Sequence, residues 1–291
     1  MTEYVFPSTA EEAIAYLAEA EGRGIIIAGG TDVLPDMEKG KWRPERLVDI
    51  TRIPELQRIE VRNGWVTAGA AVPFIALREH PFIAARVHAL AEAAASVGAR
   101  GIQTSATWAG NLAQAMPAAD GAIIAVALDA EARVLDASGA TWRPVADLYL
   151  GPGRSKIDPT GQLITAIRFR VPAGAWGTAW RRAGRRPALV LPTLNCAATV
   201  RLDEDRIAAA TIAMGPVGPC PVRAGDAEAF LRGQPPTPEV FAEAAQLALC
   251  NAQPRSSALR ASREYRMAVL PALVEDALSS AATRATARLP E

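Results

Sequence analysis

Ile26-Ile-Ala-Gly-Gly-Thr-Asp-Val33 is the stretch on which the reading of this chain turns. Gly24 to Ala28 is a short β-branched run, which predicts a buried strand. Gly29 and Gly30 follow at once, so the backbone can turn sharply with positive φ accessible. Without side chains, their amide N–H groups can approach a ligand closely. Thr31 and Asp32 are good N-cap residues for a short helix through Met37. A helix N-terminus adds unpaired donors and partial positive charge, which suits a diphosphate. The same residues would also serve a plain tight strand–helix turn, and on this segment alone the two readings weigh about equally. The spacing is not G-x-G-x-x-G, so a nicotinamide-type Rossmann site is not indicated.

Outward from this turn, Glu11 to Glu21 predicts an amphipathic helix and Arg46 to Ile50 a second strand, together a small βα unit. Ile59 to Ala70 alternates around Asn63-Gly64, a hairpin signal. Val72 to Leu77 and Phe82 to Val97 read as helices. Gly98 to Asn111 is rich in small residues without periodicity and reads as an ordered loop. A buried helix is expected over Ala118 to Leu128, then strands at Ala132 to Leu135, Thr141 to Val145 and Leu163 to Val171. Pro172-Ala-Gly174 is a plausible boundary. Beyond it come a hairpin, Thr193 to Leu202 and Arg206 to Met214, and helices at Ala227 to Leu231, Pro238 to Cys250 and Ser262 to Leu278. Pro271 is expected to kink the last helix and the Ala-rich C-terminus to fray.

Composition narrows the function classes. A chain of 291 residues suggests two domains. Its 31 Lys plus Arg balance 31 Asp plus Glu, which argues against a general nucleic-acid binder. No signal peptide is apparent at the N-terminus, and no apolar run approaches the ~20 residues of a membrane span. A soluble, cytoplasmic protein is the expectation. Cys196, Cys220 and Cys250 are scattered and form no C-x-x-C, so this chain alone cannot supply the four thiolates of an ordinary iron–sulfur cluster. With only His80 and His88 besides, no metal site is expected, and the cysteines read as buried structural thiols.

Two further stretches carry chemistry. Gly101-Ile-Gln-Thr-Ser-Ala-Thr-Trp-Ala-Gly-Asn-Leu112 offers small residues, hydroxyls and an amide that could wrap a nucleotide. An irregular connection is the plainer reading, and Trp108 could equally be a core anchor. In Met116-Pro-Ala-Ala-Asp120 the aspartate precedes the apolar helix. An N-cap is its ordinary role, and the functional reading is a carboxylate accepting from a ribose or adenine group.

At these three stretches the sequence resembles the flavin-carrying medium subunit of the xanthine dehydrogenase and carbon monoxide dehydrogenase group of molybdenum hydroxylases. That family has a strand ending in A-G-G-T/H-D/S-L, here Ala28 to Val33. It has a loop I-R-N-x-A-T-I-G-G-N-L, here Ile102 to Leu112, followed by S-P-A-A-D, here Met116 to Asp120. Gly151-Pro-Gly-Arg154, Gln162-Leu-Ile-Thr165, Trp180 to Arg186 and Met214 to Ala224 resemble four later family segments in order. The chain departs from the pattern at Gln103-Thr104, Trp108 and Ala109. Three scattered cysteines and no inserted loop set it apart from the hydroxybenzoyl-CoA reductase branch.

The resemblance implies an α+β fold: a two-subdomain FAD-binding fold, PCMH-like and of the vanillyl-alcohol-oxidase type, followed by a smaller α+β domain. The FAD-binding domain would cover 1–174, with subdomains about 1–56 and 57–174, and the C-terminal domain 175–291. FAD would be bound by Ile26, Ile27, Ala28, Gly29, Gly30, Thr31, Asp32 and Val33 on one side. Thr107, Trp108, Ala109, Gly110 and Asn111 would bind it from the other, with Asp120 at the nucleotide portion, Ile164 near the isoalloxazine ring and Arg181 where the family often has a lysine near the flavin. No residue of this chain would act as a catalytic acid or base. The partners implied are a large subunit with the molybdenum cofactor and a small subunit with [2Fe-2S] clusters, in a heterotrimer open to further dimerisation. Electrons would pass through FAD to an external acceptor. Two other readings stand beside this: a flavin-free assembly or docking subunit, and a stand-alone FAD-dependent oxidase. The second would want a catalytic His or Tyr, for which Tyr149 and Tyr265 have no obvious context.

Overall fold

The computed structural model of the chain describes residues 2–186 and 189–287. β1 (Glu3–Val5), α1 (Ala10–Glu19), β2 (Gly24–Ile27), α2 (Val33–Glu38) and β3 (Arg46–Asp49) form a first unit around a parallel sheet of order β1-β3-β2. Thr9 caps α1 by accepting the Glu12 N–H at 3.1 Å, and Glu12 reaches back to the Ser8 N–H at 2.6 Å. Ala13, Ile14 and Leu17 then form the buried stripe of that helix. β2 lies at the sheet edge, and its Ile26 N–H donates at 3.3 Å to the carbonyl of Pro159, so a later segment covers the edge.

The second unit holds β4 (Ile59–Arg62), β5 (Trp65–Gly69), α3 (Phe74–Glu79), α4 (Pro81–Arg86), α5 (His88–Ser96), α6 (Arg100–Gln103), α7 (Trp108–Ala113), α8 (Asp120–Ala127), β6 (Glu131–Asp136) and β7 (Gly139–Pro144). It ends with β8 (Tyr149–Gly151), β9 (Arg154–Ser155) and β10 (Leu163–Arg170). Its main sheet is antiparallel, in the order β4-β5-β10-β6-β7. Asn63 and Gly64, at φ 54° and 74°, make the two-residue turn between β4 and β5. Alternation sends Val66, Ala68, Ile167, Phe169, Ala132 and Val134 to the core. On the opposite face the Arg168 guanidinium lies between two indoles, 4.6 Å from the ring centre of Trp65 and 3.9 Å from that of Trp142.

β11 (Trp176–Ala183), β12 (Leu194–Asp203), β13 (Arg206–Gly215) and β14 (Val222–Arg223) form a third, antiparallel sheet. α9 (Gly225–Leu231), α10 (Pro238–Leu247) and α11 (Arg263–Thr286) accompany it. This sheet is covered on both sides. Trp176, Trp180 and Ala197 join the core of the second unit, while Ala179, Cys196 and Ala198 pack with α11 residues Val274, Ala277 and Ala281.

Several expectations change. The predicted loop at 98–111 contains two short helices, α6 and α7. Elements of one or two turns are too short for a 3.6-residue period to show. The helix expected over 82–97 is two, broken at Val87, whose φ −122°, ψ 56° is not helical. α11 extends past Leu278 to Thr286, with Pro271 inside it and Ala277, Ala281, Ala282 and Ala285 buried. The fraying expected at the C-terminus otherwise falls on 288–291, outside the described residues. Only Cys196 is a buried thiol; Cys220 is half-buried and Cys250 exposed.

Candidate functional site

A cleft of about 650 Å³ opens between the glycine turn after β2, the segment leading into α7, and the β8–β10 region. Its volume is within the range of cofactor pockets. Two loops distant in sequence meet here. A Cβ on Gly29 would lie 2.0 Å from the Ser105 carbonyl oxygen and 3.0 Å from the Ala106 Cα, so only glycine permits this approach. Gly30 has φ +68°, the left-handed conformation that glycine adopts without strain. The two adjacent glycines thus have separate duties: the first admits the facing loop, the second turns the chain.

Among the described residues, the N–H groups of Gly29, Gly30, Thr31 and Asp32 donate to no protein acceptor. On the facing side, Thr107 caps α7 by accepting the Gly110 N–H at 3.1 Å. The N–H groups of Trp108 and Ala109, at the first two positions of that helix, have no intrahelical partner. Lys41 and Arg154 add positive charge to the lining. Lys41 is held by an ion pair of 2.6 Å to Asp36. The Asp32 carboxyl is pushed up by burial and then by Asp36, with Lys41 and Lys39 opposing. Beyond this polar middle the walls are apolar, with Ile164, Leu163, Ile157, Leu150 and Leu191 among them. Donors without acceptors at the centre and apolar surface to either side fit a dinucleotide with an aromatic ring system.

Of the residues expected to bind, Ile26, Ala28, Gly29, Gly30, Thr31, Asp32 and Val33 line this cleft, as do Thr107, Ala109, Gly110, Asn111 and Ile164. Four do not. Ile27 alternates to the other face of β2 and is 2% exposed, under the turn. Trp108 is fully buried, its indole N–H donating to the Gly121 carbonyl at 2.8 Å and its ring set edge-on to Phe169. It is a core anchor, and the backbone of its helix is what borders the cleft. Asp120 is neither at the cleft nor an N-cap: the cap position is Ala119. Its carboxylate accepts from Asn195 Nδ2 at 2.7 Å and lies 3.8 Å from Arg182. Burial pushes its pKa up to about 6, against the opposing effects of Arg182 and Asn195. Arg181 points to the far side of β11, where it pairs with Asp276 at 2.6 Å and also donates to Ser280.

Strand alternation explains the last two together. Thr178, Trp180 and Arg182 face the second unit, through the Ala89 N–H, Ser96 Oγ and Ser96 carbonyl. Gly177, Ala179 and Arg181 face α11. A shift of one residue changes which arginine approaches the second unit. Lys41, Trp42, Leu150 and Leu191 line the cleft without a sequence signal. They come from three separate segments, and only folding brings them together. Gln103, where the family pattern has arginine, is buried and ties α6 to the end of α5 by donating to the carbonyls of Ala95 at 2.9 Å and Val97 at 3.1 Å.

Residues 1–173 match the family of the FAD binding domain in molybdopterin dehydrogenase, and residues 178–281 match the CO dehydrogenase flavoprotein C-terminal domain. The chain is 28% identical over 284 residues to the xanthine dehydrogenase FAD-binding subunit of Escherichia coli O157:H7, covering 97% of this chain and 96% of that one. To the carbon monoxide dehydrogenase medium chain of Hydrogenophaga pseudoflava it is 29% identical, covering 97% of each. The solved carbon monoxide dehydrogenase of Hydrogenophaga pseudoflava that lacks the Mo-pyranopterin moiety of its cofactor superposes with a TM-score of 0.91 at 29% identity, over 97% of this chain and 98% of that one. Quinoline 2-oxidoreductase from Pseudomonas putida 86 gives 0.89 at 26% identity, over 99% of both chains.

Proposed function

Because this chain belongs to the family of FAD-binding medium subunits of the molybdopterin dehydrogenases, of the xanthine oxidase and carbon monoxide dehydrogenase type, we propose that it stands between two redox partners in a heteromeric molybdenum hydroxylase. The small partner subunit carries [2Fe-2S] clusters, the large one the molybdenum cofactor, and an external acceptor receives the electrons. The observation that carries this reading is the contact of the two loops at Gly29 and Ser105, which leaves a row of free N–H donors along one cleft.

FAD supplies the chemistry, exchanging electrons singly or in pairs, while the protein binds and orients it. Backbone donors at Gly29 to Asp32 and at the start of α7 would hold the diphosphate. Lys41 and Arg154 would offset its charge. Ile164, Leu150 and Leu191 would exclude water from the ring system. Hydroxylation of substrate would belong to the partner, and the residues of this chain would bind and orient the flavin. The cytoplasm is the location proposed. Among the described residues no helix is long and apolar enough to cross a membrane.

Purification of the assembled complex tests the reading. Flavin, iron and molybdenum should co-elute with this chain, with one FAD per chain. A colourless complex that reduces its acceptor at full rate would refute it. Substrate oxidation by the isolated chain would favour the stand-alone oxidase instead.

A further inference from the structure

The C-terminal unit reaches the cleft at one point. Among the described residues that line it, Leu191 is the one from beyond Ile164, and 55% of its surface is open. A side chain so exposed draws little hold from core packing, and the polar contacts of its neighbours position it. The Leu189 N–H donates to the Gly98 carbonyl at 3.4 Å, and Arg182 Nη2 donates to the Val190 carbonyl at 2.5 Å. Arg182 Nη1 donates to the Ser96 carbonyl at 2.9 Å. Ser96 and Gly98 flank Val97, which lines the cleft as well. One guanidinium therefore grips the chain beside two walls of the cleft, at Val190 next to Leu191 and at Ser96 next to Val97.

The guanidinium is itself held from behind. Its Nη1 lies 3.8 Å from Asp120 Oδ2, the two side chains being 13% and 7% exposed. The other oxygen of that carboxylate accepts from Asn195 Nδ2 at 2.7 Å. A planar fork with donors on both terminal nitrogens serves two carbonyls in fixed directions, where an ammonium group would act as a single point of charge. Largely shielded from water, these contacts meet little competition from solvent.

We propose that Arg182 is a positioning residue of the cleft: by joining the Val190 and Ser96 carbonyls it fixes Leu191 relative to Val97, and with them the fit of the apolar wall around the flavin ring system. The inference rests on the reading of the cleft as an FAD site. Arg182 bonds to none of the donors at Gly29 to Asp32, so its influence should fall on the ring and not on the diphosphate.

The test compares FAD with ADP, which has the adenine and the diphosphate but no ring system, by calorimetric titration of the flavin-free full chain. Arg182→Gln should weaken FAD binding about tenfold, roughly the worth of one apolar side chain against the ring, and leave ADP binding unchanged. Leu191→Ala alters an exposed side chain, so it should fold, and it should act in the same way. The double variant should lose less than the product of the two single losses, because one residue acts through the other. Arg185→Gln, at an exposed neighbour, should bind both ligands like the parent. Arg182→Gln strands the Asp120 carboxylate. If that variant does not fold, Arg182→Gln combined with Asp120→Asn removes both charges and takes its place. Amide hydrogen exchange at Leu189 to Leu191 of the flavin-free chain should quicken in either. The proposal is overturned if FAD and ADP weaken alike, if the Arg182 variants bind FAD like the parent, if the two losses multiply in full, or if exchange is unchanged. A parent chain that binds neither ligand would instead sink the FAD reading, and this inference with it.

Discussion

A methyl group on Gly29 would sit 2.0 Å from the Ser105 carbonyl oxygen, a backbone atom with nowhere to go. Gly29→Ala should therefore part the two loops. We expect flavin content to fall at least about tenfold, with a loss of about 1–3 kcal/mol in the stability of the flavin-free chain. Absorbance in the flavin bands and chemical denaturation check the two numbers, and an alanine variant with full flavin would show that the loops need not touch. Asp120 yields a pH prediction. Its pKa rises from 3.8 to about 6 on folding, with burial the main cause. Between roughly pH 4 and 6 the folded chain keeps a proton that the unfolded chain has lost. The stability from this group is thus complete below about pH 4 and is lost as pH rises through about 6, at most about 3 kcal/mol in all. Asp120→Asn retains an oxygen for Asn195 and should flatten that part of the curve. Parallel denaturation curves for parent and variant from pH 4 to 7 would count against this account.

At the level of elements, β11 decides more than any other strand. Its even residues face the second unit and its odd residues face α11, so Gly177 lies against the helix backbone. A Cβ there would lie 2.1 Å from the Ala281 carbonyl oxygen and 2.5 Å from the Ala285 nitrogen. Gly177→Ala must lift α11 from the sheet. A loss of about 2–3 kcal/mol is expected, read as a fall in Tm of roughly 4–12 °C. The long helix has Arg284 paired with Glu92 of α5 at 2.5 Å and donating to the Thr178 carbonyl at 2.8 Å. That contact ties α5, β11 and α11 together at one point.

Across the whole molecule, one apolar core spans the second unit and the near face of the third sheet, through Trp176, Trp180, Ala197 and Ala213. The buried Asp120–Asn195 hydrogen bond and the Thr211 hydroxyl donating to the Ala127 carbonyl cross the same boundary. Flavin binding at the cleft should accordingly be felt by the whole chain. At a free FAD concentration of 100 Kd the stabilisation is about 2.7 kcal/mol, or a rise of about 5–10 °C in Tm. Differential scanning calorimetry should show a single transition that moves with FAD. Two transitions, only one of them moving, would mean that the shared core does not couple the units.

Local signals were enough for much of this. The β-branched run before Gly29, the Asn63-Gly64 turn with the alternation around it, and the strand-forming runs of β10, β12 and β13 are short-range consequences of sterics and hydrophobic pattern, and they are legible in the chain by itself. So were the two facing loops as candidates, because adjacent glycines and small hydroxyl residues restrict what those segments can do. Facing and depth were not legible. Whether Arg181 or Arg182 approaches the flavin side is a parity of one residue along β11, set by which face of the sheet meets α5. Trp108 and Asp120 are buried by neighbours more than ten residues away, among them Gly121 and Asn195. Lys41, Leu150 and Leu191 share a cleft only because three separate segments close around it. A local pattern records the preferences of a backbone, but burial and convergence belong to contacts between distant parts of the chain, and those exist only once it has folded.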